Sequence, residues 1–161
     1  MKELSKIAAT DLGLEEAPRG SNKGPELQKF FKSDDLEMDG KTDGYPWCAA
    51  AVSYWVQQWI AANGVKLRAP RIAAVRLFPE WAKKNGLVTT PDRPRVNDIV
   101  VFTFSHIGVV EAVRASGSGE VLGIDAIEGN TNGDGSREGF EVARRSRPIE
   151  QCRLFIRLPA C

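Results

Sequence analysis

Tyr45-Pro46-Trp47-Cys48-Ala49-Ala50-Ala51-Val52-Ser53-Tyr54-Trp55-Val56-Gln57-Gln58-Trp59-Ile60-Ala61-Ala62-Asn63-Gly64 is the stretch whose reading decides the fold. From Ala49 to Ala62 neither Gly nor Pro interrupts it. Val52, Trp55, Val56, Trp59 and Ile60 recur at the helical period and share one face. Pro46 sets the approach to the helix, and Asn63-Gly64 supplies the stop. The first of the three cysteines therefore sits at or within the first turn of a long amphipathic helix.

Working outward, the N-terminal side reads as helical. Leu4, Ile7, Ala8 and Leu12 follow the helical period until Gly13, and Leu27, Phe30 and Phe31 suggest a short helix begun by Pro25. The stretches Ala17 to Pro25 and Ser33 to Thr42 read as loops. A further helix covers Ala73 to Asn85, kinked or restarted by Pro79. Beyond it the texture changes. Ile99 to Phe102, Ile107 to Val113, Val121 to Ile127, Glu138 to Arg145 and Cys152 to Leu158 are β-branched or alternating, with turn residues between them. Helices first and antiparallel strands later predict an α+β fold, with N-terminal helices packed on a C-terminal antiparallel sheet. No repeat or low-complexity linker divides residues 1–161, so one domain is expected.

A chain of 161 residues buries roughly 68–70% of its unfolded surface and needs no metal or disulfide to hold a core. Its 22 Lys and Arg against 21 Asp and Glu leave a charge of +1, which argues against a broad basic face for nucleic acid or anionic lipid. No stretch reaches the roughly 20 apolar residues of a membrane helix. The start, Met1-Lys2-Glu3-Leu4-Ser5-Lys6, lacks the pattern of a signal peptide, so synthesis in the cytoplasm is expected. A monomer is expected.

The scarce residues carry the chemistry. His106 is the one histidine, and the cysteines are Cys48, Cys152 and Cys161. One histidine excludes His-rich metal sites, and no Cys-x-x-Cys pair points to zinc. At a helix start, backbone N–H groups and the macrodipole favour a thiolate at Cys48. A free Cys is also a common small core residue. His106 opens an apolar strand, His106-Ile107-Gly108-Val109-Val110, from which an imidazole can reach a helix end packed on the sheet; alone, it also fits a satisfied half-buried histidine. Together they suit a thiol nucleophile and its base, which need a third group to orient the ring. Asp125, Glu128 and Asn130 are candidates. Regular alternation puts Glu128 and Asn130 on one face and Asp125 on the other, unless Gly129 carries a bulge.

Four motifs in order, Tyr45-Pro46-Trp47-Cys48-Ala49-Ala50, Asn97-Asp98-Ile99-Val100-Val101-Phe102, His106-Ile107-Gly108-Val109-Val110-Glu111 and Glu128-Gly129-Asn130-Thr131, resemble the CHAP family. These are papain-like cysteine amidases and peptidases that act on peptidoglycan and are related to the NlpC-type hydrolases. The loop Ala17 to Pro25 also looks like that of single-domain members. The resemblance implies Cys48 as nucleophile, His106 as base, Glu128 as its orienting group and Asn130 as a further polar member. Tyr45 and Trp47 would line the cleft or serve as wall packing.

The implied reaction is hydrolysis of an amide in bacterial cell-wall peptide, with peptidoglycan as partner and no nucleic acid or membrane. Its setting would be a compact phage endolysin, with an injected antibacterial effector or an inactive wall-binding domain as the alternatives. Some relatives carry a calcium loop ahead of the nucleophile. Asp35-Leu36-Glu37-Met38-Asp39-Gly40 imitates its opening, but Pro46 stands where the closing Glu belongs; Asn130 to Glu141 imitates it a second time. Neither is assigned, and no cofactor or metal ligand is expected.

Overall fold

Helix α3 (Cys48–Asn63) is the element on which the others are assembled. The computed structural model describes residues 1–34, 43–131 and 139–160. The helix begins one residue ahead of the predicted span, at Cys48 itself. Gly64 ends it in the left-handed region at φ 63°, with its N–H donated to the Ile60 carbonyl. Val52, Trp55, Val56 and Trp59 are buried as the pattern requires, but so is every residue from Cys48 to Ser53. The first turns are thus embedded on all sides. Helix α2 (Gln28–Asp34) packs on α3, and α3 lies against the sheet. The 70–75 segment is fastened to it as well: Ser53 Oγ donates to the Ile72 carbonyl at 2.9 Å, and Gln57 Nε2 donates to the Ser33 and Pro70 carbonyls at 2.7 Å each.

Two indoles tie the N-terminal segment to this helix. Trp55 Nε1 donates to Asp11 at 2.8 Å and Trp47 Nε1 to Glu16 at 2.9 Å. Asp11, which also pairs with Lys29, explains why α1 (Leu4–Ala9) stops short of the predicted Leu12. The chain must leave the helix for that carboxylate to reach Trp55. Helix α4 (Phe78–Lys84) follows a single 3-10 turn (Val75–Leu77) and has Pro79 within its first turn, where the missing N–H costs nothing. Pro79 starts the helix rather than bending it.

The strands among the described residues are β1 (Val88–Thr90), β2 (Ile99–Phe102), β3 (Ile107–Ala115), β4 (Val121–Thr131), β5 (Glu141–Pro148) and β6 (Cys152–Arg157). They form one sheet in the order β1-β6-β2-β3-β4-β5, every neighbouring pair antiparallel. N-terminal helices on a C-terminal antiparallel sheet is the α+β arrangement expected of a papain-like CHAP fold. Strand β2 is buried on both faces. Ile99 and Val101 join the core beneath α3, while Val100 and Phe102 join a second cluster with Val110, Ile124, Ala126 and Phe155. Edge strand β1 lacks a sequence signal because its three residues are largely exposed. Strand β5 runs three residues later than predicted, and β4 runs four beyond Ile127 to pair Thr131 with Glu141. No helix among the described residues is long and apolar enough to cross a membrane.

Asp98 anchors the start of β2. It is 1% exposed, receives Arg157 Nε and Nη2 of β6 at 3.0 and 2.7 Å, and accepts the Arg95 N–H at 2.9 Å. Beside it, Asn97 Oδ1 accepts the N–H and hydroxyl of Ser5, which fastens α1 to the same corner. Asp98→Ala removes both carboxylate bonds of Arg157, leaving its bond to the Arg93 carbonyl, and should lower unfolding free energy by about 2–3 kcal/mol in urea titration. A loss under half a kcal/mol would show that the corner is held by packing alone.

Candidate active site

Cys48 is the first residue of α3, preceded by Trp47, whose side chain makes no capping hydrogen bond. First-turn N–H groups have no acceptor within a helix, so the Cys48 amide is an available donor beside its own sulfur. The thiol is 5% exposed and opens on a cavity of about 250 Å³, lined by Tyr45, Pro46, Cys48, Ser105 and the 73–76 segment. A larger cavity of about 460 Å³, between α4 and residues 68–72, contains neither thiol nor imidazole. Chemistry, not size, singles out the smaller one.

His106 enters from the tight turn between β2 and β3, where its N–H meets the Phe104 carbonyl at 2.6 Å. The ring is fully buried and stacks on Phe102 and Phe104, with centroids 5.7 and 5.8 Å away. Its Nε2 lies 2.8 Å from Glu128 Oε2. A carboxylate only accepts, so the proton of the neutral ring belongs on Nε2 and Nδ1 is left as the basic nitrogen. Nδ1 is buried without a hydrogen bond of full geometry, yet the Cys48 thiol acts on this ring by hydrogen bonding and charge. The contact is therefore long or poorly aligned, as nucleophile–base contacts in unliganded sites often are.

Glu128 lies on β4 and is fully buried. Besides His106 it receives Arg147 of β5 through two bonds, Nε to Oε1 at 2.9 Å and Nη2 to Oε2 at 2.6 Å. Burial alone would raise this carboxyl's pKa. Hydrogen bonds from Arg147 and His106 and their charges bring it below the ordinary value, so the group is ionised. The Arg147 guanidinium also lies 5.2 Å from the centres of both the Phe102 and Phe104 rings. Burial likewise opposes charge on His106, but hydrogen bonding and charge from Cys48 and Glu128 prevail and lift its pKa to about 9.

Two glycines make the assembly possible. A Cβ on Gly108 of β3 would meet Glu128 Cγ at 2.8 Å and the Ile127 carbonyl at 2.9 Å, so Gly108 clears the carboxylate's path across the sheet. A Cβ on Gly129 would meet Trp47 Cζ3 at 2.7 Å and Ala51 Cβ at 3.0 Å. That absence lets the start of α3 press directly on β4.

The structure brings Cys48, His106 and Glu128 together. Asp125 is elsewhere: it is partly exposed and bonds Arg114 Nε at 3.2 Å and Ser146 Oγ at 2.6 Å. The register of β4 against β5 does shift between Glu128 and Thr131, so a bulge is present, but it lies beyond Glu128 and leaves that residue's face unchanged. Asn130 sits in the bulge, 2% exposed and in the left-handed region at φ 54°. Tyr45 lines the cavity, with its hydroxyl committed to Asp34 at 2.9 Å. Trp47 does not line it. The expectation that Trp47 could face a substrate gives way to wall packing, because the indole is fully buried, stacked on Phe30 at 5.5 Å and bonded to Glu16.

Arg147 is the functional neighbour that sequence reasoning missed. Among Arg144, Arg145 and Arg147 nothing in the sequence marks the buried one; its 6% exposure and its bonds to Glu128 do. The first calcium-like stretch lies outside the described residues from Asp35 to Gly40, as do Asn132, Asp134 and Gly135 of the second. Among the described residues no three His, Cys, Asp or Glu side chains gather as a metal site. A CHAP-domain family model matches residues 40–130, more than half of the chain. No curated protein and no solved structure matches.

The sole imidazole should titrate near pH 9 by NMR. Its folded pKa lies above the ordinary 6.5, so its contribution to stability is full below pH 6.5 and is lost as pH rises through about 9. Glu128→Gln removes the stabilising carboxylate and should move the titration downward; an unchanged midpoint would separate the two groups. Gly108→Ala should displace Glu128 and shift the imidazole in the same direction, with melting temperature reduced.

Proposed function

Because the chain belongs to the CHAP family of cysteine- and histidine-dependent amidohydrolases and peptidases, we propose that it hydrolyses an amide of bacterial cell-wall peptide with Cys48 as nucleophile. The carrying observation is the buried chain of contacts from the Cys48 thiol through His106 to Glu128 and Arg147. Activity of the family kind, on peptidoglycan-type substrates, goes with membership. The residue roles and the lytic setting are our reading.

In this mechanism the Cys48 S–H proton already rests on His106 Nδ1, in line with the raised pKa of that ring. The resting pair is thus a thiolate and an imidazolium whose charge Glu128 balances. The sulfur attacks the scissile carbonyl carbon, and the Cys48 N–H donates to the oxygen as it becomes an oxyanion. The carbon–nitrogen bond breaks as Nδ1 returns its proton to the departing amine. Water then gives a proton to Nδ1 and attacks the thioester, and the carboxylic acid leaves as the thiolate is restored. The cleft is supplied by one chain, so a monomer suffices. Release at the wall for host lysis, as by a phage endolysin, is the role we assign to this activity. A neighbouring holin gene would support it, and a neighbouring immunity gene would replace it with an injected effector.

Cys48→Ser should abolish dye release from stained cell walls while circular dichroism stays unchanged. His106→Ala should lower the rate by at least roughly 10²–10⁴-fold. Cys152, whose thiol burial and the charge of Glu128 push up to about 11, should be dispensable: Cys152→Ser should retain wild-type turnover and Cys152 should resist iodoacetamide at neutral pH. Inhibition by chelator but not by iodoacetamide would overturn the thiol mechanism.

A further inference from the structure

One charged side chain, Arg76, is among those lining the cavity at Cys48. Arg19, Arg114, Arg144 and Arg157 each rest on a carboxylate. Arg76 has no ion pair or side-chain hydrogen bond among the described residues. Its neighbours along the chain share its sign. Between residues 66 and 84 there are six Lys and Arg against Glu80 alone, and Glu80 is paired with Lys84 at 2.7 Å. Among the described residues Arg76 is the one of these cations that lines the cavity at Cys48, while Arg68, Arg71 and Lys84 line the larger cavity beside α4.

The position of Arg76 is fixed relative to the nucleophile. It lies in the 3-10 turn Val75–Leu77, directly after Val75, which is seated in the core. The preceding segment is held to α3 by Ser53 on both the carbonyl and the N–H of Ile72, and by Gln57 on Pro70. Cys48, Ser53 and Gln57 belong to one helix, so the turn carrying Arg76 is registered to the thiol through short bonds. A guanidinium presents a planar fork that fits a carboxylate through two parallel hydrogen bonds. Among the described residues nothing pairs with that fork.

We propose that Arg76 is a specificity-determining residue that binds a free carboxylate of the substrate peptide close to the scissile amide. The inference rests on the peptide-amide reading above and narrows it. The preferred substrate is an acidic peptide, and a stem peptide whose carboxylate has been converted to an amide is a poor one. An exposed ion pair contributes little, but one covered by bound substrate in this cleft approaches a charge-assisted hydrogen bond. Carboxylate recognition is then expected to be worth roughly ten- to hundredfold in kcat/KM. Its loss should appear in KM, since the contact is made equally in ground and transition states.

The test uses purified sacculi of several bacterial types, each native and after carbodiimide-driven amidation of its carboxylates. On any native sacculus that is hydrolysed, wild type should lose roughly ten- to hundredfold on amidation. Arg76→Ala should fall to the amidated level on native walls and be indifferent to amidation. Arg76→Lys should recover part of the preference, and Arg153→Ala, an exposed change outside the cleft lining, should match wild type. Wild type acting equally on both forms, or Arg76→Ala keeping the wild-type preference, would overturn the inference and leave the hydrolase reading standing. Hydrolysis of no sacculus at all would overturn the hydrolase reading and this inference with it.

Discussion

The buried carboxylate of Glu128 is the constraint that the rest of the structure answers. A charge with no access to water costs several kcal/mol unless it is paired and hydrogen-bonded. Glu128 is paired twice, by Arg147 from one neighbouring strand and by His106 at the mouth of the other. That requirement selects the strand order β3-β4-β5, with β4 in the middle. It also demands a glycine at 108, where any side chain would stand in the carboxylate's path. The aromatic pair Phe102 and Phe104 completes the enclosure, stacking His106 and receiving the guanidinium of Arg147. The imidazole is therefore oriented by a hydrogen bond in its plane and by rings against its face.

Sharing one carboxylate between two cations also sets its chemical character. Arg147 stays charged at every accessible pH and makes the ionised form of Glu128 tolerable in a dry setting. The remaining attraction acts on His106, whose pKa stands near 9 despite complete burial. A carboxylate without Arg147 would face desolvation with only a titratable partner, and its charge would come and go with the histidine. The guanidinium thus separates the stability of the ion cluster from the protonation cycle of the imidazole.

Sequence periodicity made the frame legible where one physical rule dominated. The long helix, with Gly64 as its stop, and the strands at Ile99 to Phe102 and from Ile107 follow from uninterrupted pattern. Elements shaped by tertiary demands were less legible. Helix α1 ends early because Asp11 must meet Trp55, and β1 exists only because β6 offers an edge to pair with. At the site, scarcity and position made Cys48 and His106 candidates beside ordinary core readings, and the four motifs in order joined them in one site. Alternation separated Glu128 from Asp125 because the β4 bulge falls after Glu128. Arg147 was hidden, since a buried arginine and a solvated one look alike in sequence until the fold brings one onto the Glu128 carboxylate. Trp47 was ambiguous for a related reason: an indole beside a nucleophile suits a cleft or a core, and only the stack on Phe30 and the bond to Glu16 decide.

The same cluster discriminates between the protein's two described thiols without either being exposed. Cys48 and Cys152 are 5% and 8% accessible, so solvent contact does not distinguish them. Their electrostatic surroundings do. At Cys152 burial comes first, and the negative charges of Glu128 and Glu150 reinforce it against the opposing pull of Arg147, leaving a thiol held up at about 11. Its hydrogen bond runs to the Pro148 carbonyl at 3.7 Å, a contact that favours the protonated form. At Cys48 the neighbouring ring is the one hydrogen-bonded to Glu128, and the first-turn amides of α3 are donors without helical acceptors. One buried carboxylate therefore acts in two directions. Through its bond to His106 it holds the ring beside the sulfur at the helix start, and through space it opposes charge on the sulfur of β6. The thiol of α3 faces the cleft, while charge on the thiol of β6 is opposed by burial first and by Glu128 second.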